Sequence, residues 1–530
     1  MPISTSLTRR ELLKAIGLTA GATAMYHAMT ALGHAQESPF PGPPVLSPAK
    51  PGARVLILGA GLAGLLAAYE LRKSGYEVEI LEYQNRPGGR NWTLRNGDVY
   101  TELGGATQKI AFAEGNYFNP GPWRIPHHHR AVLHYCKALG VPLEAFNQFN
   151  HNAYLHSTEA FGGKPQRLRE VWSDMQGNLT ELLAKAVNEN QMDLPMGADE
   201  RDQLLQALQG WGLLDADYRY RSSLHTAVRR GYDQMPGGGR VGPPTPGPLL
   251  DLHDLLHPTV WQRLNSQLVY NAQPTMFQPV GGMDQIGQGF MRALPDLPVR
   301  YNARVTRIDQ NERQVSVTYE DTQDGKTTQV SADWCICTLP LTVLGQMPVQ
   351  ASQAMLSAIR AVPYSSYTKV ALEFRRRFWE EDDAIYGGTS VTNQEIELIS
   401  YPSDRFMSDG PAVLLSAYTT GVKGSLNLTR MTPEERIEAA LSQGEKIHPQ
   451  YRKEYLSGAS VAWHRVPWML GCRARWAEDK RQMHYKTLAT LDGRIALAGD
   501  HVSYMPGWME GALLSSLDAI TQLHQRAREA

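Results

Sequence analysis

The stretch RVLILGAGLAGLLAAYELRKSGYEVEILE, Arg54 to Glu82, limits the fold more than any other part of the chain. Arg54–Leu58 is a short β-rich run, Leu65–Ser74 is helix-forming with Gly75 as its stop, and Val78–Leu81 reads as a second strand ending in Glu82. Gly59, Gly61 and Gly64 stand between strand and helix in GxGxxG spacing. The spacing by itself is a weak signal, but a complete strand–turn–helix–strand unit is a specific one. Gly59 permits the tight turn, Gly61 lets backbone approach a pyrophosphate, and Gly64 lets helix and strand close on each other, with Ala63 in the same turn. The helix N-terminus then offers free N–H groups to phosphate. Glu82, 21 residues after Gly61, stands where a carboxylate can accept hydrogen bonds from a ribose diol. The unit predicts an α/β domain that binds a dinucleotide.

The remaining composition narrows the class. A chain of 530 residues, 42% hydrophobic, has room for more than one domain and a large core. A net charge of −1 gives no general attraction to nucleic acid or to an anionic membrane. Four cysteines are too few for a disulfide framework. Cys335 and Cys337 alternate along an apolar run and read as buried free thiols in a strand. Residues 1–36 carry Arg9–Arg10 before a mildly apolar run, then small residues at Gly33 and Ala35. That pattern predicts a twin-arginine export signal, removed from a periplasmic or secreted mature protein. No later stretch is long and apolar enough for a membrane-spanning helix, so no membrane contact is expected of the mature form.

Other motifs carry the same chemistry. RPGGR (Arg86 to Arg90) follows Glu82 closely, and Arg90 can reach a phosphate. Near the other end, the strand Ile495–Leu497 runs into Gly499–Asp500, and a helix begins near Gly507, Trp508 and Met509, a second helix N-terminus for the same cofactor. Together with ELGG (Glu102 to Gly105), QPVGGMDQI, NARVTRI and TKVALEFRRRFW, in that order along the chain, these motifs resemble the FAD-dependent amine oxidase superfamily, most closely its L-amino acid oxidases.

The resemblance implies an α/β fold: a discontinuous Rossmann-like FAD-binding domain, a mixed-sheet substrate domain and a helical insertion. The expected boundaries are 52–95, 271–345 and 486–530 for the FAD domain, 96–165 and 346–485 for the substrate domain, and 166–270 for the helices. The residues agree coarsely: LTELLAKAVNENQ and ERDQLLQALQGWGLL have helical periodicity, MPGGGRVGPPTPGPLL (Met235 to Leu250) is a loop by composition, and VSVTYED alternates as strands do. The resemblance also implies roles. Glu82 holds the adenosine ribose, Arg90 contacts the pyrophosphate or flavin side, and the Val305 backbone meets adenine. Gly104, Gly105, Ala106 and Thr107 lie against the flavin. Asp500, where the family usually has Glu, bonds near the ribityl chain or pyrophosphate, and Trp508 and Met509 cap the ring system. The FAD is expected to be non-covalent, with Cys472 as the position of a covalent link.

The segment GPWRIPHHHR (Gly121 to Arg130) is similar to the one that, in L-amino acid oxidases, sets an arginine over the flavin to bind the substrate carboxylate; here that residue is Arg124. A guanidinium–carboxylate pair is charge-assisted and geometrically exacting. Tyr401, in ISYPSD, resembles the tyrosine that shares the carboxylate, the backbone at Gly507 accepts from the amine, and Lys369 matches a lysine that assists oxygen reduction. His127, His128 and His129 are adjacent and do not converge as metal ligands do, so no metal is expected. The expected reaction is FAD-dependent oxidative deamination of an L-amino acid with molecular oxygen, giving a 2-oxo acid, ammonia and hydrogen peroxide. The competing readings are an amine or polyamine oxidase, an amino acid monooxygenase, and a flavoprotein module without turnover. Members are often dimers, and the sequence leaves the oligomeric state open, a homodimer being one option.

Overall fold

The computed structural model describes residues 40–189, 196–265 and 268–529; the predicted export signal lies outside them. Strand β1 (Arg54–Leu58) and strand β2 (Glu77–Leu81) pair in parallel, joined by helix α1 (Leu62–Lys73). The helix begins three residues before the predicted start. Gly61, in extended backbone, is its N-cap, and the Leu65 amide donates to the Gly61 carbonyl at 2.9 Å, so the glycine turn itself forms the helix start. A Cβ on Gly64 would sit 2.0 Å from the Gly59 carbonyl oxygen, so only glycine allows this approach.

Five parallel strands form the central sheet, in the order Val299–Arg300, β2, β1, Trp334–Cys337, Ile495–Leu497. They come from distant parts of the chain, as a discontinuous dinucleotide domain requires. One face is covered by α1 and the long helix Met509–Glu529, with Ile57, Leu66, Leu513 and Ile520 in the shared core. The other carries a three-stranded antiparallel sheet (Ala303–Gln310, Val315–Asp321, Thr327–Ala332), packed through Val317, Cys335 and Leu497. Cys335 and Cys337 are buried free thiols in this central sheet.

A second, seven-stranded sheet runs Gln166–Arg167, Tyr154–His156, Thr389–Thr392, Leu398–Ser400, Ala412–Thr419, Thr368–Phe374, Tyr455–Ala462. Its pairs are antiparallel except Thr389–Thr392 with Tyr154–His156, so the sheet is mixed. Helices Leu168–Asn188, Ala198–Gly212 and Leu224–Arg230 form the helical region. At its centre Arg230 and Tyr220 both donate to the fully buried Asp174. The segment read as a loop, Met235 to Leu250, contains the short strand Thr245–Pro246, which pairs with Tyr232–Gln234. The proline-rich stretch before β1 is not a free tether: Phe40 packs beside His134 and Tyr135, and the Ala49 amide donates to the Ser74 carbonyl.

Candidate active site

A cavity of about 600 Å³ runs between the two sheets. At one end its wall is the glycine turn: Gly59, Gly61 and Ala63 border it at the start of α1, and Glu82 borders it at the end of β2. The Glu82 carboxylate accepts from the Ala60 amide at 2.6 Å and the Gln84 amide at 2.8 Å. Burial pushes its pKa up, against those amides and Arg86. Tyr83 and Trp468 stack at 5.3 Å and also border this end, next to Leu339 and Pro340. A narrow turn, a helix N-terminus and a carboxylate held by backbone amides fit the phosphate and ribose of a dinucleotide.

Midway, Arg90 pairs with Asp500 and donates to the Cys472 carbonyl, and the other Asp500 oxygen accepts from the Gly507 amide at 2.7 Å. Burial alone would raise the Asp500 carboxyl, but Arg90, His501 and the Gly507 amide hold it below the usual range. Trp508 and Met509 form the wall where the Met509–Glu529 helix begins. Cys472 borders the same space, and burial pushes its thiol up to about 11, so it stays protonated at neutral pH.

The far end is built from side chains of many segments. Strand Ile125–Pro126 pairs with Met276–Pro279, which pairs on its other side with Leu143–Phe146; Arg124 leads into the first of these strands and Gln148 follows the last. Both border the cavity, with Tyr418, Val391 and Leu398 opposite. The Arg124 guanidinium lies 5.0 Å from the Trp123 ring and 5.4 Å from the Trp508 ring. It makes no ion pair or hydrogen bond with any described residue, and its Nε is buried without a partner. Burial lowers its pKa to about 10, with Tyr418 as the opposing influence. His129 packs edge-on against Trp508 at 4.9 Å, and burial together with His128, Arg124 and His127 holds it down at about 3, so it is neutral. The three histidine rings lie edge to edge, and His128 Nε2 bonds Asn271.

Lys369, 2% exposed, stands one layer behind the wall. Its Nζ donates to the Asn119 carbonyl at 3.2 Å and to that of Gly121, 4.8 Å from the Trp123 ring and 4.6 Å from the Tyr418 ring. Burial, with Arg124 adding to it and Cys472 opposing, lowers its pKa to about 7.

Two assignments are corrected. Tyr401 is not beside Arg124. Its hydroxyl is tied to Ser390 and to His448 Nε2, both at 2.6 Å, with His448 Nδ1 on Asp383 at 2.9 Å, and it faces a separate cavity of about 80 Å³ behind Trp123. The tyrosine on the wall with Arg124 is Tyr418. Gly104, Gly105, Ala106 and Thr107 form the tip of a surface hairpin between Val99–Thr101 and Thr107–Lys109. The buried pair of Glu102 with Arg436 anchors that hairpin away from the cavity, and Gly121 to Arg124 supply the wall instead. Val305 lies in the first strand of the three-stranded sheet with its side chain in the core, and Tyr83, Leu339 and Pro340 line the dinucleotide end of the cavity. Tyr418, Gln148 and Trp468, which border the cavity, went unread in the sequence because no motif carries them.

The profile of the family described as flavin-containing amine oxidoreductase matches residues 62–523. An L-amino-acid oxidase of Siganus canaliculatus is 28% identical over 482 residues, covering 89% of this chain and 85% of that one. A flavin-dependent L-tryptophan oxidase of Lentzea aerocolonigenes is 29% identical over 491 residues, covering 88% and 97%. Among solved structures, the cyclohexylamine oxidase from Brevibacterium oxydans aligns with a TM-score of 0.58 at 17% identity, over 90% of this chain and 100% of that one, which is a likeness of fold. With the profile spanning most of the chain and the cavity built from that same span, the chain belongs to the flavin-containing amine oxidoreductase family.

Proposed function

We propose that this chain is an FAD-dependent oxidase of an L-amino acid. One amino acid, one oxygen and one water give one 2-oxo acid, one ammonium and one hydrogen peroxide. The observation that carries the reading is Arg124. The fully buried arginines are each matched by a carboxylate, Arg436 by Glu102, Arg377 by Glu380 and Arg230 by Asp174, and Arg124, partly exposed to the cavity, is strongly desolvated as well. Arg124 has none among the described residues, yet it borders the large cavity. A buried cation without an anion is costly, and a ligand carboxylate removes that cost. Simple amines bring no such group.

FAD bound here would supply the two-electron oxidation of the substrate carbon and the return of those electrons to oxygen. The residues to hold it are the Gly59–Gly64 turn, Glu82, Arg90 and the start of the Met509–Glu529 helix. The protonated Cys472 thiol favours non-covalent binding. The chain's own contribution is positioning: Arg124 grips the carboxylate as a rigid fork, while Trp123, Trp508 and Tyr418 wall off water. Lys369, poised between charged and neutral near pH 7, holds a proton beside that wall.

The test is a peroxide-release screen of the proteinogenic L-amino acids beside simple amines, with ammonium measured in parallel. Peroxide from amines alone, or none with anaerobic amino acids failing to bleach the flavin, sinks the proposal. Acid precipitation leaving yellow colour in the supernatant supports the non-covalent form.

A further inference from the structure

Gln148 has a place on the cavity wall that nothing above employs. It is 8% exposed, its Oε1 is buried without a partner, and its side chain makes no hydrogen bond to any described residue. An amide left this way is unfavourable unless a ligand satisfies it. It presents both a donor and an acceptor. The lining of the same cavity also includes Arg263 and Glu397.

Glu397 adopts a positive φ of 55°, uncommon outside glycine. Its carboxylate accepts from the Thr420 amide and hydroxyl, both at 3.0 Å, and from the Gly421 amide at 2.8 Å, at the start of helix Val422–Arg430. Its charge is thus already engaged, and Arg263 faces it as the opposite charge. The two cancel at this end. A cationic side chain entering here meets Arg263, and an anionic one meets Glu397.

Pairing sets the reach. Met276 faces Pro126 on one side and Phe146 on the other, so Arg124 is level with Glu144 and Gln148 comes four residues further on. In extended backbone that is roughly 13 Å along the strands, and the two strands lie about 10 Å apart across Met276–Pro279. Two side chains reaching inward across that span leave room for a long substrate side chain.

We propose that Gln148, beside the balanced Arg263 and Glu397, reads the end of the substrate side chain, and that the preferred substrate is a long L-amino acid with an uncharged terminus that both donates and accepts hydrogen bonds, a carboxamide or ureido group. This rests on the amino-acid oxidase reading above. Sites that hydrogen-bond a substrate group reject analogues lacking it far more strongly than apolar pockets reject a missing methylene.

The test is kcat/KM by peroxide release, with the flavin-loaded enzyme, for L-glutamine and L-citrulline against L-methionine, L-glutamate and L-lysine. L-Glutamine or L-citrulline is expected to exceed L-methionine by at least about 10²-fold. Gln148→Met should cut that ratio by at least about 10-fold, and Gln148→Glu should shift preference toward L-lysine. Flavin absorbance of both variants checks that they fold. L-Methionine, L-glutamate or L-lysine as the best substrate overturns the proposal, as does a glutamine-to-methionine ratio that Gln148→Met leaves unaltered. No peroxide from any L-amino acid overturns instead the oxidase reading beneath it.

Discussion

At the dinucleotide end of the cavity the carboxylate and the guanidinium are already held, Glu82 by two amides and Arg90 by Asp500, while Trp468 Nε1 is buried without a partner. At the substrate end Arg124 and Gln148 meet the cavity with no protein partner among the described residues. The first end is complete as a scaffold, since a cofactor that stays bound needs a rigid cradle. The second carries unmet hydrogen-bonding capacity, which is what a turning-over ligand must satisfy.

The comparison can be broken most forcefully at the cradle. Gly64→Ala pushes a Cβ to 2.0 Å from the Gly59 carbonyl oxygen, so the turn must open. The expected outcome is protein without absorbance near 450 nm and activity down more than about 10³-fold. Retention of flavin at wild-type level would mean that the turn does not hold the pyrophosphate.

At the other end, Arg124→Met should leave flavin content as it is and lower kcat/KM for amino acids about 10³-fold, the scale of losing a buried charge-assisted pair. Arg124→Lys should recover little, because lysine lacks the planar fork. Equal kinetics in the methionine variant would remove Arg124 from the site.

Lys369 sharpens the contrast between binding and turnover. Lys369→Met should slow flavin reoxidation by oxygen about 10²-fold and alter anaerobic reduction by substrate much less. Burial lowers the lysine to about 7, so its cation is present below that pH and lost as pH rises through it. The oxygen step should decline over that range in the native enzyme, and the variant should lack the decline. Rapid-mixing absorbance across pH 6 to 9 (a range of about three units around that value) measures both.

The smallest effects test the tyrosine correction. Tyr418→Phe should lower kcat/KM about 10-fold, and Tyr401→Phe less than about threefold, with its cost appearing as a lower Tm because His448 loses a partner. A reversed order would restore Tyr401 to the substrate.

Some of this was legible in the chain and some was not, for reasons visible in particular residues. Gly59, Gly61, Gly64 and Glu82 lie within one contiguous unit whose geometry is local, so their spacing reveals their arrangement. Asp500 and Trp508 were readable because the second strand-to-helix turn repeats that logic. The ELGG tip misled because Gly104 and Gly105 answer to a hairpin's need for positive φ, at 102° and 89°, rather than to a ligand. Tyr401 misled because strand alternation cannot tell which of two buried compartments a side chain enters.

By itself the sequence determined the dinucleotide turn, the parallel sheet around it, the family and the candidate status of Arg124, since turn sterics and strand patterning act over a few residues. Only the tertiary structure decided that Arg124 lacks an anion and Gln148 a hydrogen-bond partner among the described residues, that Tyr418 borders the cavity with them, and that Lys369 is desolvated. Those properties depend on which distant segments surround a side chain and exclude water from it, and no run of neighbouring residues encodes that.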